Sequence, residues 1–432
     1  MKFKATENSL GKTVVTKRPV WFSNSNVSIG LLPFRRIVGP LLLMLACPNF
    51  SVLLWWILKH NDGSLLNSLH VARNQGFFST FISVYPSPLE SSALWILAVF
   101  FVAALVLTRI LPGKMFVGPL SSSGYRNEYK ANGTLYWISM NVLFIMGSEY
   151  GFGLYNARRY FPSTRDSGTS GNFFNDFWAG TELYPKIFGW DVKLCSNDRI
   201  GLTWWGIALL SFASKQYEML GYVSEAMAVS VLLQWIYLLK FFVWETGYFC
   251  TVDMQHDCAG FYLCWGCLVW VPSVYTLSTH WLVTHPIRLT ILSSAFLLGG
   301  GLSMIWLNYV IDSERQRVRA TNGMACKKGK KPLTIKAYYL DEKKTWQNSL
   351  LLASGWWGLA THIHYIPELL AAIFWTPPVQ FSFFLPYFYV VFLAILLLDR
   401  SCRDNARCAS KYGKYWEEYR RLVPWQMIPY VF

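Results

Sequence analysis

Long apolar runs separated by short polar breaks organise the whole chain. Runs at 37–59, 93–111, 133–153, 201–213, 227–243, 261–277, 289–311 and 380–398 predict membrane helices. A further run, 350–376, is interrupted by His362, His364 and Pro367. Several runs are short or broken by Gly and Pro, which predicts that they line a cavity rather than face lipid. The pattern gives an all-α, polytopic integral membrane protein of about nine to ten transmembrane helices. Three regions follow: a polar tail at 1–36, N-terminal membrane helices and loops at 37–200, and a larger membrane domain at 201–432. No internal repeat is evident, and low complexity is limited to the basic run at 327–331.

Composition agrees. The 432 residues are 53% hydrophobic and only 15% charged, where soluble domains carry about 25% charge. The 21 Trp, 24 Tyr and 30 Phe suit interfacial belts and a wide apolar cavity. The net charge of +15 lies in loops and tails, so it points to positive-inside bias and phosphate binding and not to nucleic acid. The basic tail at 1–36 does not read as a cleavable signal peptide. Nine scattered cysteines predict no disulfide framework, and Cys264-Trp265-Gly266-Cys267 lacks the second pair that a metal site needs.

Charge placement also exposes a topological conflict. The tail at 1–36 and the basic stretch at 312–336 should share the cytosolic face, yet seven predicted crossings separate them. Either 133–153 is re-entrant, or the 1–36 tail is not cytosolic, or a helix is lacking in the interval 131–200, and the last is the expectation.

Two segments carry candidate chemistry. Between apolar runs, Glu245, Asp253, His256 and Asp257 fall at membrane-interface depth, where ionisable groups are costly and usually functional. A structural cap or salt bridge is the plain alternative. As a proton-delivery group, one of them would be reached through Tyr248, Tyr262 or Tyr275. Glu245 and Tyr248 lie one helical turn apart and can face one cavity. The second segment follows the last apolar run. There Arg400, Arg403, Arg407, Lys411, Lys414, Arg420 and Arg421 alternate with Tyr412, Tyr415, Trp416 and Tyr419. That mixture suits either anionic lipid headgroups or an anionic ligand with flat rings. Gly299-Gly300-Gly301 is an apolar glycine run within a helix, and no Gly-rich dinucleotide loop follows a strand.

The run R-D-N-A-R-C-A-S-K-Y-G-K-Y-W-E-E-Y at 403–419 resembles the C-terminal signature of the membrane sterol reductases. That family includes the delta-14, delta-7 and delta-24(28) reductases and the lamin B receptor. W-E-T-G-Y at 244–248, the H-D-C-A-G-F-Y run at 256–262 and C-W-G-C-L-V-W-V-P-S-V-Y-T at 264–276 are most similar to the plant-type delta-7 branch. L-P-G-K-M-F-V-G-P at 111–119, G-N-F-F-N-D-F-W-A-G-T-E-L-Y-P-K at 171–186 and S-G-W-W-G-L-A at 354–360 extend the likeness from near residue 37 onward. Gln255, Cys258, Thr361 and the short 131–165 interval depart from the family pattern.

The resemblance implies sterol and NADPH pockets in the C-terminal half. It implies NADPH-dependent reduction of the delta-7 double bond of a 5,7-diene sterol taken from the bilayer. Delta-14 or delta-24(28) reduction and an inactive sterol-binding scaffold are the alternatives. Arg315, Arg319, Leu352, Trp357, His364, Tyr365, Asp404, Cys408, Ala409, Ser410, Lys411, Tyr412 and Tyr419 are the implied cofactor positions. Glu245, Tyr248, Asp253, His256 and Tyr262 are the expected catalytic set, with Glu245 the first choice as acid. An endoplasmic reticulum membrane (an inner membrane in a bacterium), lipid contacts and a complex with other sterol-pathway enzymes are further expectations.

Overall fold

The computed structural model describes residues 37–85, 91–121, 125–146, 172–324, 331–340, 345–381 and 383–432. The basic tail and residues 147–171, which are part of the doubtful 131–200 interval, lie outside them. In chain order, α1 (Gly39–His60), α2 (Leu65–Gln75), α3 (Phe77–Val84) and α4 (Ser91–Ile110) lead to a hairpin of β1 (Lys114–Leu120) and β2 (Arg126–Ala131). Next come α5 (Gly133–Met146), α6 (Phe173–Ala179) and a short hairpin of β3 (Lys186–Ile187) with β4 (Trp190–Asp191). A π-helix, Leu194–Leu202, runs into α7 (Thr203–Leu220), and α8 (Glu225–Val243) follows. The short helices α9 (Glu245–Tyr248) and α10 (Val252–Gln255) precede a broken helical stretch of α11 (Phe261–Trp265), α12 (Val271–Val274) and α13 (Leu277–Leu282). The long α14 (Ile291–Ala320), a hairpin of β5 (Thr334–Leu340) and β6 (Trp346–Leu352), α15 (Tyr365–Trp375), α16 (Phe388–Tyr412) and α17 (Lys414–Leu422) complete the fold.

Six helices among the described residues are long and apolar enough to cross a membrane: Gly39–His60, Ala93–Ile110, Glu225–Val243, Phe261–Leu282, Ile291–Ala320 and Leu385–Tyr412. The described residues thus give six candidate spans where nine to ten were expected of the whole chain. The run 350–376 is no single span, because it contains the end of β6, a tight turn at Gly355–Gly358 and the 11-residue α15. At 1.5 Å per residue α15 reaches roughly 16 Å, about half the hydrocarbon thickness. The His364 carbonyl accepts from Asn308 Nδ2 (3.0 Å) and the Trp375 carbonyl from Ser230 Oγ (3.0 Å). Thus α15 starts level with the second half of α14 and ends level with the first turns of α8.

The fold is also not purely helical. Three two-stranded antiparallel hairpins stand outside the apolar helices. In β5 the alternation is a strand's: Ile335 and Ala337 are buried while Lys336 and Tyr338 are exposed. The buried side chains join Leu351, Trp416, Tyr419 and Val423 in a small core that fastens the hairpin to α17.

The main core lies where α7, α8, α13, α14, α15 and α16 meet around Trp205, Leu233, Phe242, Leu282, Ile305 and Trp375. Glycine sets its tightest approach. A Cβ on Gly301 would lie 2.6 Å from Leu233 Cδ2, and one on Gly300 would lie 2.3 Å from the Phe374 ring. The glycine run is a helix-packing surface, as small residues are between membrane helices. Leu42, Leu45 and Leu53 on α1 and Ile291, Leu292 and Phe296 on α14 are exposed, as lipid-facing positions would be.

Candidate active site at the ends of the membrane helices

The acidic segment 245–262 meets two helices from different parts of the chain. On one side the π-helix brings Arg199, fully buried, against the Glu245 carboxylate, with Asp198 2.7 Å from the guanidinium and its carboxyl beside that of Glu245. Arg199 also donates to Asn132 Oδ1 (2.9 Å), and Glu245 accepts the Gly133 N–H (2.9 Å). The expectation of Glu245 as the acid therefore meets a carboxylate already engaged as an acceptor, in a buried pair whose loss is costly. Neighbouring Asn197 donates to the Tyr248 hydroxyl. Burial raises the Tyr248 pKa well above that of an ordinary phenol, which keeps its proton in place.

On the other side is α16. Its Arg400 pairs with Asp253. Asp257 is half-buried and its pKa is raised, first by desolvation and then by the Asp253 charge. The Tyr262 hydroxyl lies beside that carboxyl. His256 is exposed, within electrostatic reach of Arg407 and Lys411.

The expected cofactor residues come together from three segments. The Arg315 guanidinium lies 3.9 Å over the Trp357 ring, whose indole N–H donates to the Ile311 carbonyl (2.9 Å). His364 stands 4.9 Å from Trp357 and 4.2 Å from Tyr365, ring to ring, while His362 stacks on Tyr365. Asp404 pairs with Arg407 and lies 3.7 Å from His362 Nε2, with Cys408 Sγ 3.9 Å away. Tyr419 donates to the Trp357 carbonyl (3.3 Å) and Tyr412 to Ser349 on β6 (3.3 Å). Lys411 lies over the rings of Tyr339 (4.1 Å) and Tyr412 (5.4 Å). Leu352 is buried in the patch that holds Trp357. Arg319 is exposed within reach of Tyr412 and Cys408. Ala409 and Ser410 point to the exposed side of α16.

This face has the makings of an anion site. His362 Nε2, His364 Nδ1 and Arg407 Nη1 are buried and without a hydrogen-bond partner among the described residues. Buried polar nitrogens are normally satisfied, and these stand beside cations and flat rings, so the donor set fits a phosphate-bearing dinucleotide. Sequence reasoning missed Lys193, Asp198 and Arg199, named His362 only as a break in an apolar run, and placed Arg400 in the basic tail without its Asp253 partner. The one signal was the placement of Lys193, Asp198 and Arg199 directly before the apolar run at 201–213.

The fold and site together define a multi-pass membrane protein with an acidic segment and a cationic, aromatic face joined at the ends of its helices. The model of the ergosterol biosynthesis ERG4/ERG24 family matches residues 150–432. The chain is 41% identical to a 7-dehydrocholesterol reductase of Arabidopsis thaliana, covering 93% of this chain and 98% of that one. It is 32% identical to a 7-dehydrocholesterol reductase of Xenopus laevis over 76% of each chain. With a Delta(14)-sterol reductase of Methylotuvimicrobium alcaliphilum it shares 32% identity over 91% of this chain and 94% of the relative. The chain belongs to the ERG4/ERG24 sterol reductase family.

Proposed function

We propose that this protein reduces the carbon 7–8 double bond of a 5,7-diene sterol drawn from the bilayer, with NADPH as the reductant. The observation that carries the reading is the Arg400–Asp253 ion pair, which joins the acidic segment to the helix bearing the cofactor residues. The extent of identity to the Arabidopsis 7-dehydrocholesterol reductase favours delta-7 over delta-14 chemistry. The endoplasmic reticulum membrane is the setting that fits a sterol pathway in a eukaryotic cell.

Arg315, Arg319, Arg407 and Lys411 would hold the phosphates, Arg through bidentate contacts and Lys as a point charge. His362, His364, Tyr365 and Trp357 would orient the rings. A reduced nicotinamide bound there supplies a hydride. The chain's own task is to protonate carbon 8, which leaves an allylic cation over carbons 5 to 7 that accepts hydride at carbon 7. One carbon–carbon π bond is lost and two C–H bonds form. We assign the proton to the Asp257–Tyr262 pair, because desolvation favours the neutral, donating form of Asp257. Tyr248, fixed by Asn197, lines the same region. Glu245 acts through Arg199 to hold α9 and does not donate.

Membranes containing the full chain, given 7-dehydrocholesterol with NADPH or NADH, test the reading. Formation of cholesterol with NADPH supports it. Reduction of a delta-14 sterol alone replaces it with the sibling activity.

A further inference from the structure

Lys193 is among the largest fully buried side chains of the protein. Its ammonium donates to three backbone carbonyls of the acidic segment: Asp253 (2.9 Å), Met254 (2.7 Å) and Asp257 (2.9 Å). An ammonium has three N–H donors and no acceptor, so each donor has one carbonyl. The base of the side chain is fixed as well. Asp191, held by Asn127 (2.8 Å), accepts the Leu194 N–H (3.0 Å) and pins the backbone on either side of Lys193. The Tyr184 ring stands 5.2 Å from the ammonium. The same segment is braced by Gln255, which donates to the Phe249 carbonyl (2.7 Å) and accepts from the Tyr184 hydroxyl (3.3 Å). Burying a charge is expensive unless its donors are matched, and here all three donors are spent on the backbone of one five-residue stretch, 253–257.

We propose that Lys193 is a positioning residue that clamps the backbone of residues 253–257 and so fixes where Asp257 presents its proton. The inference rests on the reading of Asp257 and Tyr262 as the donor pair. Arg400 grips the Asp253 side chain from the cofactor helix, while Lys193 grips the main chain from behind. The two together leave the loop one position relative to α16.

The clamp needs the charged form, since a neutral amine has two donors for three carbonyls. Burial lowers the Lys193 pKa from 10.5 to about 8, opposed by the charges of Asp191, Cys258, Asp257 and Asp253. The clamp therefore loosens as pH rises through about 8. The stability effect has the opposite sign. Between about 8 and 10.5 the unfolded chain holds this proton more tightly than the folded one, so the lysine's own contribution to stability rises with pH. Alkaline loss of turnover from this source is not unfolding.

The test uses the full chain in membranes, with Lys193→Met and Lys193→Arg. Amide hydrogen exchange should quicken at 252–258 in Lys193→Met while α14 and α16 stay protected. An unchanged exchange rate in a folded Lys193→Met overturns the clamp whatever sterol the enzyme reduces. Turnover should fall about 10- to 100-fold in Lys193→Met, the range for a misplaced reacting group, with the NADPH KM within twofold. Lys193→Arg should recover part of that turnover, and protection of 252–258 in it should no longer fall as pH rises through about 8, because a guanidinium stays charged there. Protection that falls near pH 8 in Lys193→Arg as it does in the wild-type chain overturns the assignment. If Lys193→Met does not fold, Lys193→Arg alone decides through the pH profile of that protection. If the wild-type chain reduces no sterol, the functional reading fails while the exchange result still judges the clamp.

Discussion

Arg400 of α16 and Asp253 of the acidic segment form an ion pair between residues 147 positions apart. The helix that ends in the proposed cofactor residues is thereby tied to the loop that carries the proposed proton donor. Arg400→Gln and Asp253→Asn should each reduce turnover, and the double variant should lose less than the two losses combined. The expected coupling is about 0.5–3 kcal/mol for residues in direct contact. Effects on log kcat that simply add would dissolve the link.

Arg319 has no carboxylate partner among the described residues and lies within reach of Tyr412 and Cys408. If it binds a phosphate of the nucleotide, Arg319→Ala should raise the NADPH KM about tenfold or more, since a charge-assisted contact is worth about 1.5–3 kcal/mol. The sterol KM should stay within twofold. An unaltered NADPH KM in a folded variant removes Arg319 from the site.

The approach of α14 to α8 at Gly301 leaves no room for a side chain. Gly301→Val should lower stability by about 1–3 kcal/mol, as overpacking does, and shift thermal unfolding of detergent-purified protein downward. A melting temperature equal to wild type would show that the two helices part easily.

The membrane runs, the basic aromatic tail and the interfacial acids were legible because each is a local pattern of composition. The β5–β6 hairpin was not. Its alternation spans only Thr334–Leu340, next to a lysine-rich run, and its partner strand begins what reads as an apolar run at 350. Lys193 and Arg199 were missed for another reason. A charge in a polar stretch reads as solvated, and only tertiary packing puts both at zero exposure. Glu245 shows the limit most clearly. Its position at the end of an apolar helix was readable, but the arginine that occupies it lies 46 residues earlier.

That partner changes what a substitution at Glu245, the first choice as acid from sequence, should do. A glutamine there keeps the shape but leaves Arg199 with Asp198 as its only carboxylate among the described residues, in a fully buried site. Breaking a buried pair costs about 3–5 kcal/mol, so Glu245→Gln should express poorly or melt early, with near-normal turnover in the protein that survives. Asp257→Asn and Tyr262→Phe should do the opposite, keeping the melting temperature and losing a factor of about 10² to 10⁴ in turnover. The pH response has a definite sign. The donor works protonated, so turnover falls as pH rises through the raised pKa of Asp257, and Asp257→Asn should erase that dependence from its residual rate. Melting curves and single-turnover rates measured on the same preparations separate the two roles. A Glu245→Gln enzyme that melts normally and turns over a hundredfold more slowly would return the proton to Glu245 and leave Asp257 a structural carboxyl.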